Sequence, residues 1–155
     1  MQLWRRFCHL SAPSRLLVAE SAVALAATWL GLRVMGYRGW KSLLGWSAEA
    51  SDGPANPNDP AVIGSADAIA RFEEAAARHL FVRTNCLERS LVLCWALRRR
   101  GIPAQMRVGA RKHDGRFEAH AWVELNGSVL NDTLEHHRHF EPFAKPIGLL
   151  ETETP

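Results

Sequence analysis

Cysteine is the residue type in this chain best suited to nucleophilic chemistry, and the three cysteines differ in their surroundings. Cys86 opens a predicted helix, in which Asn85 and Glu88 have the spacing of a capping box. Free backbone N–H groups and the helix dipole favour an anion there, so Cys86 is the thiol expected to react as a thiolate. Cys94 lies mid-helix among apolar residues, where a small buried hydrophobe is expected, and Cys8 has no such context. Helix position therefore predicts Cys86 as the nucleophile.

A thiol nucleophile needs a base, and the base needs a partner that orients it. His120 lies on the polar side of an alternating segment that predicts a strand, and Asp132 ends the next predicted strand. The two face each other if the hairpin has a three-residue loop, Leu125-Asn126-Gly127, with its glycine left-handed. A two-residue loop would turn Asp132 to the other face, because side chains alternate along a strand. We therefore predict a catalytic triad of Cys86, His120 and Asp132 on a hairpin with the longer loop.

Helices precede strands in the pattern that must position these residues, which predicts an α+β fold. Ser14 and Ser65 are expected to cap helices, and Gly36 and Gly101 to end them. The predicted elements are a helix over 15–35, an amphipathic piece over 37–46, a helix over 65–80, the cysteine helix over 86–100, and strands over 104–111, 117–125 and 129–132. We expect a helical segment over 1–46, a linker loop over 47–62, rich in Pro, Gly, Asn and Asp, and a core over 63–155.

The amino-acid composition limits the classes of protein to which this chain can belong. Hydrophobic residues make up 47% and charged residues 23%, as in an ordinary globular domain. Lys and Arg exceed Asp and Glu by only 19 to 16, so no nucleic-acid partner is expected. Three cysteines cannot all pair, and no signal-peptide pattern is evident, which favours a reduced cytoplasmic setting. The apolar stretch over 16–32 is short for a membrane span and contains Glu20, so membrane insertion is not expected.

Two further clusters have simpler interpretations. His136, His137 and His139 lie beside acidic residues, but no second cluster accompanies them, so we expect a solvated polar loop and no metal site. The arginines over 98–100 could contact nucleic acid or an acidic peptide, and the preference for cations at a helix C-terminus explains them equally well. No Gly-rich nucleotide loop occurs, and no cofactor is predicted.

Several short sequence motifs also indicate a protein family. The chain resembles the transglutaminase-like leader peptidases of lasso-peptide biosynthesis, mainly over residues 65–133. The words that carry this resemblance are Cys86-Leu87-Glu88-Arg89-Ser90-Leu91, Leu97-Arg98-Arg99-Arg100-Gly101-Ile102-Pro103-Ala104, Arg107-Val108-Gly109, His120-Ala121-Trp122-Val123-Glu124 and Gly127-Ser128-Val129-Leu130-Asn131-Asp132. The motif around His120 is common to transglutaminase-like folds, whereas the motif that begins at Cys86 is more specific when Arg-Arg-Gly-Ile-Pro follows it.

This resemblance implies a papain/transglutaminase-like core, with the cysteine helix packed on a small antiparallel sheet behind N-terminal helices. It implies a cysteine peptidase that removes the leader from a precursor peptide, with Cys86 as nucleophile, His120 as base and acid, and Asp132 as orienter. It also implies three partners: the precursor, a separate leader-binding recognition protein, and the cyclase that closes the macrolactam ring. The apolar, helical character of residues 1–46 favours this split form over one with a fused, strand-rich recognition domain.

Two other functions use the same residues. A transglutaminase would pass the thioester to an amine instead of water, and the triad does not distinguish the two acceptors. A non-catalytic scaffold would bind the precursor or the cyclase with the triad unused.

Overall fold

Residues 12–43 and 55–143 are described by the structure, a computed structural model. Cys8, both ends of the predicted N-terminal segment, the first half of the predicted linker and the C-terminal tail lie outside these ranges. The described elements are α1 (Ala12–Leu43), α2 (Pro60–His79), α3 (Cys86–Arg98), β1 (Gln105–His113), β2 (Arg116–Leu125), β3 (Ser128–Val129), α4 (Leu134–His137) and β4 (Glu141–Pro142). The strands form one antiparallel sheet in the order β3-β2-β1-β4. The predicted α+β class is confirmed.

Helix α1 is broken where the sequence predicted a stop. Gly36 has φ 68° and ψ 178°, a conformation that favours glycine and interrupts the helical path. The chain after it folds back, and the Trp40 ring occupies the space that a Cβ on Gly31 would need. Gly36 therefore permits the break, and the missing side chain of Gly31 lets the Trp40 ring pack against the first part of α1.

Helix α2 begins earlier than predicted. Asp59 caps it by accepting a hydrogen bond from the backbone N–H of Ala61 at 2.8 Å, and Pro60 takes the first helical position. Ser65, the predicted cap, instead donates its hydroxyl to the carbonyl of Ala61 inside the helix. The last residues of the predicted linker are therefore helical, while the division into 1–46, 47–62 and 63–155 stays a prediction.

The main core lies between α3, α2 and one face of the sheet. Its buried members include Leu93 and Leu97 from α3 and Val123 and Leu125 from β2. Phe117 shares the apolar side of β2 but is 81% exposed, because the core reaches only the second half of this strand. Helix α3 is therefore anchored where β2 carries the residues from Ala121 onward.

Helix α1 is the one described helix long and apolar enough to cross a membrane, judged over Ser14–Trp40 by length and composition. This is weak evidence, because core helices of soluble proteins and signal sequences have the same properties. Glu20, the charge inside the stretch, pairs with Arg99 at 3.2 Å and Arg100 at 2.6 Å. The acidic residue thus ties α1 to the C-terminal end of α3, and the cytoplasmic setting stays a prediction.

The hairpin between β2 and β3 differs from the prediction. Leu125 pairs with Ser128, which leaves a two-residue loop. Asn126 and Gly127 both have positive φ, 49° and 76°, as a type I′ turn requires. The predicted three-residue loop is wrong, because Asn-Gly suits this turn and its twist matches that of the strands.

We expect Gly127→Val to lower the free energy of unfolding by about 1–3 kcal/mol, because a β-branched residue is strained at positive φ. A Cβ at Gly127 would meet nothing within 4 Å, so the effect comes from the backbone and not from a clash. Thermal unfolding followed by circular dichroism measures it. Gly127→Asn is the matched control, since Asn tolerates the left-handed region, and equal losses in both variants would contradict the explanation.

Candidate active site

The start of α3 has the capping box that the sequence predicted. The Asn85 side chain accepts a hydrogen bond from the N–H of Glu88 at 3.0 Å, and the Glu88 carboxylate accepts one from the N–H of Asn85 at 2.8 Å. Glu88 is 2% exposed, and its other oxygen accepts a hydrogen bond from Arg33 of α1 at 3.1 Å. Each oxygen of this buried carboxylate therefore has a partner, and the turn that carries Cys86 is tied to α1.

The structure separates the two described cysteines chemically. Cys86 is half-buried, and a hydrogen bond with the His120 side chain lowers the pKa of its thiol. Burial opposes this shift, while the backbone N–H groups of Ala121 and Leu87 lower the pKa further. Burial raises the pKa of the Cys94 thiol to about 11. Cys86 is thus the described thiol whose surroundings favour a thiolate.

His120 connects Cys86 to Asp132. Its Nε2 lies 2.8 Å from Oδ2 of Asp132, which leaves Nδ1 as the ring nitrogen for the Cys86 thiol. The hydrogen bond with Cys86 raises the pKa of His120 most, burial opposes it, and Asp132 raises it further. The structure therefore brings together all three residues that the sequence singled out.

Asp132 reaches His120 by a path that strand alternation does not describe. The backbone N–H of Leu130 still donates to the carbonyl of Val123 at 2.9 Å, but β3 has already ended at Val129. Beyond this point the chain leaves the ladder, so alternation no longer decides which face a residue occupies. The predicted contact between Asp132 and His120 is therefore present, although the hairpin has a two-residue loop.

Asn131 holds the chain where it leaves the ladder. Its Oδ1 accepts a hydrogen bond from the N–H of Val123 at 2.8 Å, a group that a continued strand would have bonded through the backbone. Its Nδ2 donates to Oγ of Ser90 in α3 at 3.0 Å, and Ser90 is fully buried. The side chain of Asn131, the residue preceding Asp132, thus joins the cysteine helix α3 to the histidine strand β2.

His136 is a member of the site that sequence reasoning missed, since it was assigned to a solvated loop. Its Nδ1 lies 3.1 Å from the same Asp132 oxygen that His120 contacts. Thr133 caps the short helix α4 by accepting from the N–H of His136, and this turn brings His136 back over Asp132. The signal in the sequence was the spacing of four residues between Asp132 and His136 beside a capping threonine.

Two further roles are decided by the structure. Trp122 is 1% exposed and donates its indole N–H to Glu124 at 2.7 Å, so it is a packed residue whose N–H already has an acceptor. Among the described residues, His120, Asp132 and His136 form a group whose ligand atoms lie within 4.8 Å of one another. This spacing suits one divalent cation, but the hydrogen bonds to Asp132 account for the same geometry.

A protein-family model described as the transglutaminase-like superfamily matches residues 23–145. No curated protein and no solved structure shows significant similarity to the chain. The matched range includes most of α1 as well as Cys86, His120 and Asp132. It supports an activity of the cysteine-protease or acyltransferase type. From the extent of this match, which covers well over half of the sequence, the chain belongs to the transglutaminase-like superfamily.

Proposed function

We propose that this protein is a cysteine peptidase that removes the leader from a lasso-peptide precursor through a thioester on Cys86. The observation that carries this proposal is the grouping of Cys86, His120 and Asp132 at the start of a capped helix, where His120 lies 2.8 Å from Asp132 and lowers the pKa of the Cys86 thiol. The sequence motifs around these three residues support a specialisation as a leader peptidase.

The reaction follows from the geometry. Nδ1 of His120 takes the thiol proton, and Sγ of Cys86 attacks the scissile carbonyl to form a C–S bond. His120 then gives the proton to the leaving amine as the C–N bond breaks, which leaves a thioester. Water then attacks the thioester with His120 as base, the C–S bond breaks, and the carboxylic acid product leaves as His120 returns the proton to Cys86. Backbone N–H groups at the start of α3 are suited to hold the oxyanion, at about 3 kcal/mol per donor.

Asp132 would act through His120. Its carboxylate accepts the Nε2–H of His120, which fixes the tautomer with a free Nδ1 and stabilises the imidazolium that forms next to the thiolate. Burial acts to raise the pKa of Asp132, but hydrogen bonds from His136, the N–H of Thr133 and His120 outweigh it. The pKa of this carboxyl is therefore lowered, which favours the ionised form that the role needs.

We propose that a separate leader-binding protein delivers the precursor and that a macrolactam-forming cyclase receives the freed amine. Helix α1 supports a partner surface, because several of its large apolar side chains are exposed. They are Leu16 (70%), Val23 (70%), Leu30 (55%) and Val34 (73%). A surface of this kind is typical of protein contacts.

We expect the chain alone to cleave its precursor slowly, and the leader-binding protein to accelerate cleavage by about 10²-fold or more through effective concentration. Mass spectrometry of the precursor with purified chain, with and without the partner, measures this. Equal rates would contradict the need for a partner.

The same spectra test the reaction. A hydrolysed leader supports the peptidase, an isopeptide supports acyl transfer to an amine, and an unchanged precursor under all conditions would sink both. Cys86→Ala, run in parallel, shows whether any product comes from a contaminating protease.

A further inference from the structure

We propose that His136 is a positioning residue of the catalytic site, which holds the Asp132 carboxylate against His120 by bonding the same carboxylate oxygen. The proposal deepens the thiol chemistry proposed above and rests on it. It extends the series of three residues to a fourth, contributed by helix α4.

The carboxylate of Asp132 is held at both oxygens. Oδ1 accepts from the backbone N–H of Thr133 at 2.8 Å. Oδ2 accepts from His120 at 2.8 Å and from His136 at 3.1 Å, which uses both of its lone pairs. The Asp132 side chain is 12% exposed, so little water reaches the carboxylate while His136 is in place. Removing His136 therefore leaves Oδ2 with His120 as its one described donor and weakens the preference of the carboxyl group for its anionic form.

The His136 ring is itself held in place. It lies edge-on to the His120 ring, with centroids 4.6 Å apart, and Phe140 packs on both rings at 5.4 and 5.0 Å. Phe140 is 6% exposed, so this contact is a packed one. A ring fixed by packing and by the turn that Thr133 caps directs its Nδ1 at Asp132.

The charges around Asp132 come from few groups. The ion pairs that the described residues make with it are those of His120 on β2 and His136 on α4. On α3, Cys86 lies behind His120. Arg111 on β1 and Glu118 on β2 pair with each other at 2.6 Å, and the guanidinium stacks over Phe140. His137 is directed away, with Nδ1 at the carbonyl of Thr133.

The test is the pH dependence of Cys86 alkylation by iodoacetamide in the full chain, followed by peptide mapping so that Cys86 is read separately. Without His136, Asp132 protonates at higher pH on acidification, His120 loses its counter-charge, and the thiolate is lost earlier. We expect His136→Ala to move the acid midpoint up by about half a pH unit, which lowers the alkylation rate at the pH of the parent midpoint by roughly twofold. His136→Asn, whose amide N–H can replace Nδ1–H, should restore the midpoint.

His139→Ala is the matched control, because His139 is an exposed residue of the same segment outside the site. Its midpoint should equal that of the parent chain. A parent-like midpoint in folded His136→Ala, or a shift in His136→Asn as large as in His136→Ala, would overturn the proposal. Alkylation needs no peptide substrate, so a shift seen in a chain that cleaves no precursor would sink the peptidase function and leave the positioning role standing.

Discussion

Cys86→Ala should abolish leader cleavage, with a loss of about 10⁴-fold or more, since the nucleophile and its base act as a unit. The physical reason is the position of Cys86 at the start of α3, where His120 and two backbone N–H groups stabilise the thiolate. Single-turnover cleavage of the precursor in the presence of the leader-binding protein is the measurement. Circular dichroism should show an intact fold, because this side chain is small and only half-buried.

Cys94→Ala is the matched control on the same helix. Cys94 is fully buried, and its thiol donates to the carbonyl of Ala104, so the substitution removes a packed sulfur from the core. We expect a modest loss of stability and a cleavage rate near that of the parent chain, and Cys8→Ala should also remain active. Survival of cleavage in Cys86→Ala, or its loss in folded Cys94→Ala, would show that the nucleophile is assigned wrongly.

Asp132→Asn should lower the rate of cleavage by about 10²- to 10⁴-fold with little effect on substrate affinity. The carboxylate accepts hydrogen bonds from His120, His136 and the N–H of Thr133, and a carboxamide has only one acceptor oxygen to offer. Its NH₂ group must face at least one of these donors. Whichever donor it faces, the negative charge that stabilises the His120 imidazolium is lost, which lowers kcat and leaves KM unchanged.

Asp59→Asn is the control for the same chemical change, since Asp59 caps α2 away from the site and Asn is an equally good cap. Its kcat should equal that of the parent chain. An unchanged kcat in Asp132→Asn would leave His120 without the orienter that we assign to it.

The position of the nucleophile could be predicted from the sequence because the signals are local. A capping box, a glycine after the helix and an alternating strand each depend on neighbours only a few residues away. The box at Asn85 and Glu88 and the break at Gly36 are therefore found where they were predicted. The start of α2 was misplaced because two cap signals, Asp59 and Ser65, compete in the same stretch, and the one followed by proline prevails.

The sequence by itself determined the order of the elements from α1 to β3, the helix start that carries Cys86, and the place of His120 on the polar side of β2. Only the tertiary structure decided how Asp132 meets His120. Register along a strand changes face with every residue, so a local pattern cannot show where a strand stops pairing. Here the last backbone hydrogen bond beyond β3 is the one from Leu130 to Val123. The Asn131 side chain then bonds the N–H of Val123 and the hydroxyl of Ser90, which belong to two other elements. The same departure from the ladder places His136 over Asp132, a contact that exists only once α4 has folded back over the sheet.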